Sequence, residues 1–173
     1  MSTIKEKTQT LHDLLEDVPF NKKMFRGEQT VSERKSYLSM HHSIFEALDP
    51  FVPVELRRTK IIEQDMKRLG GMRAAKPLGV NDYIQTILTS DRIDGHLYLN
   101  YMGLLFGGQV MKKHYPTSSE LYEFENIKGA REHIRENHQY GIENETWYEE
   151  QVKDAFRFHI EMSSSLGNMY VVE

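Results

Sequence analysis

Apolar positions recur at intervals of three and four along nearly the whole chain and almost nowhere alternate, so the pattern predicts helices and no sheet. At 100° per residue, Ile4, Thr8, Leu11, Leu15 and Val18 share one stripe of a first helix, opened by the capping-box pair Thr3 and Glu6. The same signature at Thr30 with Glu33 and at Thr146 with Glu149 marks two more helix starts. The helix after Thr30 carries Tyr37, Leu38, Ile44, Phe45 and Leu48 and should end near Asp49-Pro50. "PVELRRTKIIEQDMKRLGG" is expected to start at its proline and stop at Gly70-Gly71. Further helices are expected over Asn81 to Leu88, Asp91 to Lys113, Ile127 to His138 and Trp147 to Leu166, joined by "AAKPLG" and "YPTSSE". The reading is an all-α single domain over residues 1–173, of about seven or eight helices.

One predicted helix is anomalous. "GHLYLNYMGLLFGGQVMKKHYP" holds Gly103, Gly107 and Gly108 in its interior, where each glycine costs roughly 1 kcal/mol relative to alanine. With Gly103 at 0° on a helical wheel, Asn100, Leu104, Gly107 and Gly108 fall on the same arc, which is nearly bare of side chains. Two uses fit: close helix packing of the small-xxx-small kind, or backbone lying directly over a planar ligand.

Composition narrows the chemistry. The net charge of -4 provides no overall field for nucleic acid, so none is expected as a partner. No cysteine is present, which excludes disulfides, thiolate metal sites and covalent c-type haem attachment, and leaves histidine for any soft ligand. No apolar run reaches 18 residues and "MSTIKEKTQT" lacks a signal-peptide core, so a soluble, cytoplasmic protein without membrane association is expected. A di-iron bundle would need two Glu-x-x-His motifs, and no histidine has a glutamate three residues before it.

Among the histidines His12 is the most informative. Lys5, His12 and Glu16 line one border of the first apolar stripe. Such a histidine is often only an amphipathic surface residue. Lys5 lies two turns earlier, about 10 Å along the axis, so one flat ligand with anionic groups can meet an imidazole and an ammonium together. A porphyrin has that shape.

"HLYLNYMGLLFGGQVMKK" resembles the distal-helix signature of haem oxygenases, and "KEKTQTLHDLLE" resembles their proximal helix. "LRRTKIIEQDM", "REHIR" and "VKDAFRFHIEM" are similar to the family's third helix, its basic segment and its last core helix. The resemblance implies a compact haem oxygenase-like helical bundle without a membrane tail, with haem between the proximal helix and a kinked, glycine-rich distal one. It implies His12 as the axial iron ligand with Glu16 beside it, Lys5, Arg131 and Arg135 at the propionates, Tyr98 at the haem edge and Phe156 against the ring. Gly108 joins Gly103 and Gly107 as haem-facing backbone, and the first two glycines leave room for oxygen. The implied activity opens haem, at once cofactor and substrate, to biliverdin with release of iron and carbon monoxide. Oxygen and seven electrons are consumed, the electrons expected from an acidic donor, a ferredoxin in a soluble system, with Lys112 and Lys113 as candidate docking cations. The protein is expected to be a monomer, with a weak homodimer as the alternative.

The sequence also departs from the family pattern. Relatives carry an aspartate after the first distal glycine and an arginine one turn earlier, which together organise a proton-delivering water; here these are Leu104 and Asn100. His42 aligns with a tyrosine and His159 with an asparagine of the same network, so two titratable groups enter as the carboxylate leaves. Either they serve proton delivery or they are ordinary interhelical histidines. The rival to an oxygenase is a protein of the same fold that stores, senses or carries haem without degrading it.

Overall fold

The structure, a computed structural model, describes residues 2–167, so Met1 and residues 168–173 of the expected domain span lie outside the described residues. Every regular element among the described residues is helical: α1 Ile4–Lys7, α2 Gln9–Asp17, α3 Pro19–Phe25, α4 Val31–Leu48, α5 Thr59–Arg68, α6 Val80–Thr89, α7 Asp94–Met102, α8 Gly108–His114, α9 Ile127–His138 and α10 Thr146–Gly167. A π-helical segment, Gly103–Gly107, joins α7 to α8, and short 3-10 turns occupy Asp49–Phe51, Val54–Leu56 and Glu120–Tyr122. The expected all-α single domain is what forms.

α4 is the central helix. Leu38, Met40, Ile44, Phe45 and Leu48 are all buried, so it is covered by neighbours on most sides, with α5 and α6 packed against it. α10 runs across α7, α2 and α3, and α9 lies on α7. Each fully buried Leu, Ile or Phe contributes about 1.5–3 kcal/mol through removal of apolar surface from water.

The capping boxes at Thr3 and Thr30 both form, each threonine side chain accepting from the N–H three residues on while the glutamate returns to the cap N–H. At the third start, the Glu149 N–H bonds to the Glu145 carbonyl, so Thr146 is the first helical residue instead of the cap. The first helix is broken at Thr8, whose hydroxyl bonds back to the Ile4 carbonyl at 2.8 Å and whose backbone leaves the helical region (φ -112, ψ 6). α5 begins at Thr59, six residues beyond the expected proline, because the Asp49 carboxylate accepts from the N–H groups of Arg58 and Thr59 at 3.0 and 3.1 Å. Its end is as expected, with Gly70 and Gly71 at positive φ (110 and 127) folding their N–H groups back onto the carbonyls of Lys67 and Met66. α9 matches its expected span residue for residue. The long helix expected from Asp91 starts instead at Asp94, where the Gln151 side chain of α10 accepts from the Gly95 N–H and donates to the Arg92 carbonyl.

Candidate functional site

A cavity of about 800 Å³ lies between α2 on one side and the α7–π segment on the other, with α4 and α10 behind it. α2 buries none of its nine residues fully: Leu15 is cavity wall, Leu11 is partly buried against the cluster of Ile4, Tyr148, Val152 and Phe156, and Leu14 is exposed. Lys5 and His12 line that wall. The His12 side chain is 48% exposed, its Nε2 stands 3.5 Å from Glu16 Oε1, and its ring meets Phe156 edge-on at 6.2 Å. His12, Asp13 and Glu16 also form the one group of three close metal-type donors found among the described residues.

The opposite wall answers the question raised by the glycines. Gly103 and Gly107 line the cavity, and a Cβ built on either meets nothing within 4 Å, so neither serves helix packing. Gly108 does the reverse: its Cβ would stand 2.3 Å from Cδ1 of Tyr122, which makes it a packing glycine outside the cavity lining. The wheel that grouped all three assumed a regular helix. The π turn, closed by the Gly108 N–H on the Gly103 carbonyl five residues back, adds a residue to the turn and rotates Gly108 off the arc.

Behind the glycine wall sits a polar chain. Asn100, 3% exposed, donates to Tyr83 Oη at 3.0 Å and to the His96 carbonyl at 2.8 Å, and its Oδ1 lies 2.8 Å from His159 Nε2. Tyr83 Oη in turn is 3.0 Å from His96 Nδ1. Every group is satisfied when His159 donates to Asn100, Asn100 to Tyr83 and Tyr83 to His96. Burial, with the neighbouring His96 second, pushes His159 down to about 4, and burial likewise takes His96 down to about 4 and the Tyr83 phenol up. Both imidazoles are therefore neutral at pH 7.

His159 lines the cavity, but His42 does not: it turns to α5 and pairs with Glu63 at 3.0 Å. The cavity-facing histidine of α4 is His41, one residue and 100° away. It is buried, with its ring 4.4 Å from that of Tyr37 and 5.9 Å from that of His159, and its buried Nδ1 has no partner. Burial, then His159 and Arg34, hold it well below the usual histidine range. Its spacing of four from both Tyr37 and Phe45 was the available signal. Leu104 is 2% exposed and lines the cavity beside Asn100, and no carboxylate joins them in the lining among the described residues.

The basic segment divides in two. Arg135 lines the cavity, whereas Arg131 does not: its Nη2 donates to the Leu105 carbonyl of the π segment at 2.6 Å. Both guanidinium groups sit over the Phe106 ring, at 4.2 Å for Arg131 and 5.4 Å for Arg135. Tyr98 and Phe156 line the cavity, and burial raises the Tyr98 phenol.

A family profile described as Heme oxygenase matches residues 1–165. This chain belongs to the haem oxygenase family. It is 28% identical over 159 residues to heme oxygenase 1 of Bos taurus, covering 73% of this chain and 55% of that protein. With heme oxygenase 1 of Gallus gallus it shares 27% over 133 residues, 64% of this chain and 45% of that one. The chain thus spans about half the length of the curated relatives it matches. In fold it is similar to the heme oxygenase of Leptospira interrogans (TM-score 0.80, 19% identity, 93% of this chain and 96% of that one). It is equally similar to heme oxygenase-1 of the cyanobacterium Synechocystis sp. PCC6803 in complex with heme (TM-score 0.79, 20% identity, 95% and 91%).

The residues present fit the haem that this family binds. The cavity lies in the range of about 300–1,000 Å³ typical of cofactor sites, a neutral-capable imidazole lines one wall, and two bare glycines leave van der Waals space on the other. Lys5 and Arg135 supply cations in the same lining for two carboxylates. No helix of the described residues is long and apolar enough to cross a membrane.

Proposed function

We propose that this haem oxygenase family member binds one haem through His12 and opens it to biliverdin, with release of iron and carbon monoxide. The observation that carries this reading is the pairing of His12 on one cavity wall with the unfilled faces of Gly103 and Gly107 on the other. Bound haem would supply the iron that activates oxygen and the ring that is cleaved. His12 would hold it, with Glu16 near its imidazole, while Lys5 and Arg135 orient the carboxylates and Tyr98 and Phe156 close around the ring. Gly103 and Gly107 leave room for oxygen beside the ring, and the apolar Leu104 keeps water from the adjacent wall.

Proton delivery falls to neutral imidazoles. His159, fixed through Nε2 on Asn100, keeps Nδ1 as an acceptor that can hold and orient a proton-carrying water at the cavity wall. His41 replaces His42 in this proposal, since it lines the cavity beside His159. Single-domain organisation over residues 1–173, a monomeric state, cytoplasmic location and an acidic ferredoxin-like donor meeting Lys112 and Lys113 complete the reading.

Haem with oxygen, a reductant and catalase should yield biliverdin from the wild type, and His12→Ala should lose the ferric spectrum of an imidazole-ligated haem. A second reading, haem binding without degradation, is favoured by the lack of any carboxylate in the described cavity lining. Haem that binds through His12 but cycles or bleaches without biliverdin would decide for it.

A further inference from the structure

The π turn opens a five-residue ring in the distal helix, and such a turn leaves carbonyls without the usual partner four residues on. Two of them are held by side chains from outside the turn. The Leu105 carbonyl accepts from Arg131 Nη2 at 2.6 Å, and the Leu104 carbonyl from Gln109 Nε2 at 3.2 Å. Gln109 Nε2 also donates to the Tyr122 carbonyl at 2.8 Å, and the Tyr122 ring is the surface against which Gly108 presses. Tyr122 is itself fixed, since the buried Arg34 donates to its hydroxyl at 2.8 Å and to the Ser118 carbonyl at 2.9 Å.

We infer that Arg131 and Gln109 are positioning residues that pin the π turn at a set height over the cavity, with Arg131 acting on the Leu105 carbonyl and not on a ligand carboxylate. Arg131 is anchored twice, by that carbonyl and by the Phe106 ring beneath it, and both anchors belong to the π segment. Arg135, one turn further along α9, reaches the cavity instead. The division of labour follows from the helix: residues four apart share a face but stand about 6 Å apart along the axis, so one meets the end of the π turn and the other the ligand. A charge-assisted hydrogen bond of this kind resists local opening more strongly than a neutral one, and the segment it holds contains both bare glycines.

The porphyrin arm of the test rests on the haem reading above; the exchange arm does not. In ligand-free protein, Arg131→Met should speed amide hydrogen exchange at Gly107, Gly108 and Gln109 by about tenfold or more, with α10 amides unchanged as the internal control. Arg131→Lys, which keeps a donor, should restore most of the protection, and Gln109→Leu should reproduce part of the loss. Unchanged exchange over residues 103–109 in Arg131→Met would overturn the inference. Iron protoporphyrin IX and its dimethyl ester are then titrated into wild type, Arg131→Met and Arg135→Met. Pinning predicts that Arg131→Met weakens both porphyrins by the same factor, while Arg135→Met weakens only the free acid. A loss in Arg131→Met confined to the free acid would make Arg131 a carboxylate ligand and also overturn the inference. If wild type binds neither porphyrin, the haem reading fails and the exchange result still decides the pinning.

Discussion

Alanine at Gly103 or Gly107 should stabilise the ligand-free protein and weaken its haem complex, whereas alanine at Gly108 should destabilise the protein outright. Gly103 and Gly107 have ordinary right-handed helical backbones (φ -57, ψ -45 and φ -58, ψ -37), and a Cβ on either meets nothing within 4 Å. Each replacement therefore gains about 0.5–1 kcal/mol from the unfolded chain's lost freedom without a steric cost. In a domain of this size that raises Tm by roughly 1–4 °C. The same methyl projects into the space a planar ligand would occupy, and overpacking of about 1–3 kcal/mol lowers haem affinity between about fivefold and 150-fold. Gly108 has a similar backbone, φ -60 and ψ -28, but its Cβ would lie 2.3 Å from a ring atom of Tyr122. That ring cannot swing aside, because Tyr122 is 1% exposed and its hydroxyl is held by Arg34. The clash outweighs the helix gain, for a net loss of about 1–2 kcal/mol. Thermal melts of the three ligand-free variants and haem titrations of the first two measure both signs. A Gly103→Ala variant that melts lower than wild type, or that binds haem unchanged, would refute the idea that the bare backbone faces a ligand.

Acid should destabilise the fold over a definite window. His159 and His96 titrate near 4 when folded against roughly 6.5 in the unfolded chain, so as pH falls from 6.5 towards 4 the unfolded state takes up protons that the folded one refuses. Each group then removes up to about 1.4 kcal/mol per pH unit, and His159→Gln should flatten the slope seen in urea melts between pH 6.5 and 4.5; an unchanged slope would contradict the burial argument. Asp49→Ala should cost about 1–2 kcal/mol, since one carboxylate caps α5 through two backbone N–H groups and the Thr59 hydroxyl, and a urea midpoint equal to wild type would count against that role. Arg135→Glu should weaken haem binding or change the biliverdin isomer mixture, and chromatography of the product together with a haem titration showing neither would remove Arg135 from the site. Turnover driven by an acidic donor below saturation should slow with added salt, whereas a flat salt profile would exclude an electrostatic contact at Lys112 and Lys113.

The amino-acid sequence by itself determined most of the helices and many of their ends, because capping boxes, Gly70-Gly71 and the apolar period act within one or two turns, but it marked neither α3 nor the breaks at Thr8 and at Gly103–Gly107. It also marked His12, Lys5, Asn100, Leu104, Gly103 and Gly107, all of which the fold brings into one cavity lining. What it left open was settled by rotation and by contacts far along the chain. A single residue turns a helix by 100°, and α4 is buried on most sides, so the apolar period could not say that His41 and not His42 meets the cavity while Glu63 draws His42 away. The π turn broke the phase on which the three glycines were grouped, and Tyr122, fourteen residues beyond Gly108, assigned that glycine to packing. Arg131 and Arg135 look alike in the sequence, and only the docking of α9 against the π segment gives one a backbone carbonyl and the other the cavity. Local hydrogen bonding and periodicity are written in neighbouring residues, whereas the facing of a side chain depends on helix phase and on partners that only the tertiary structure brings within reach.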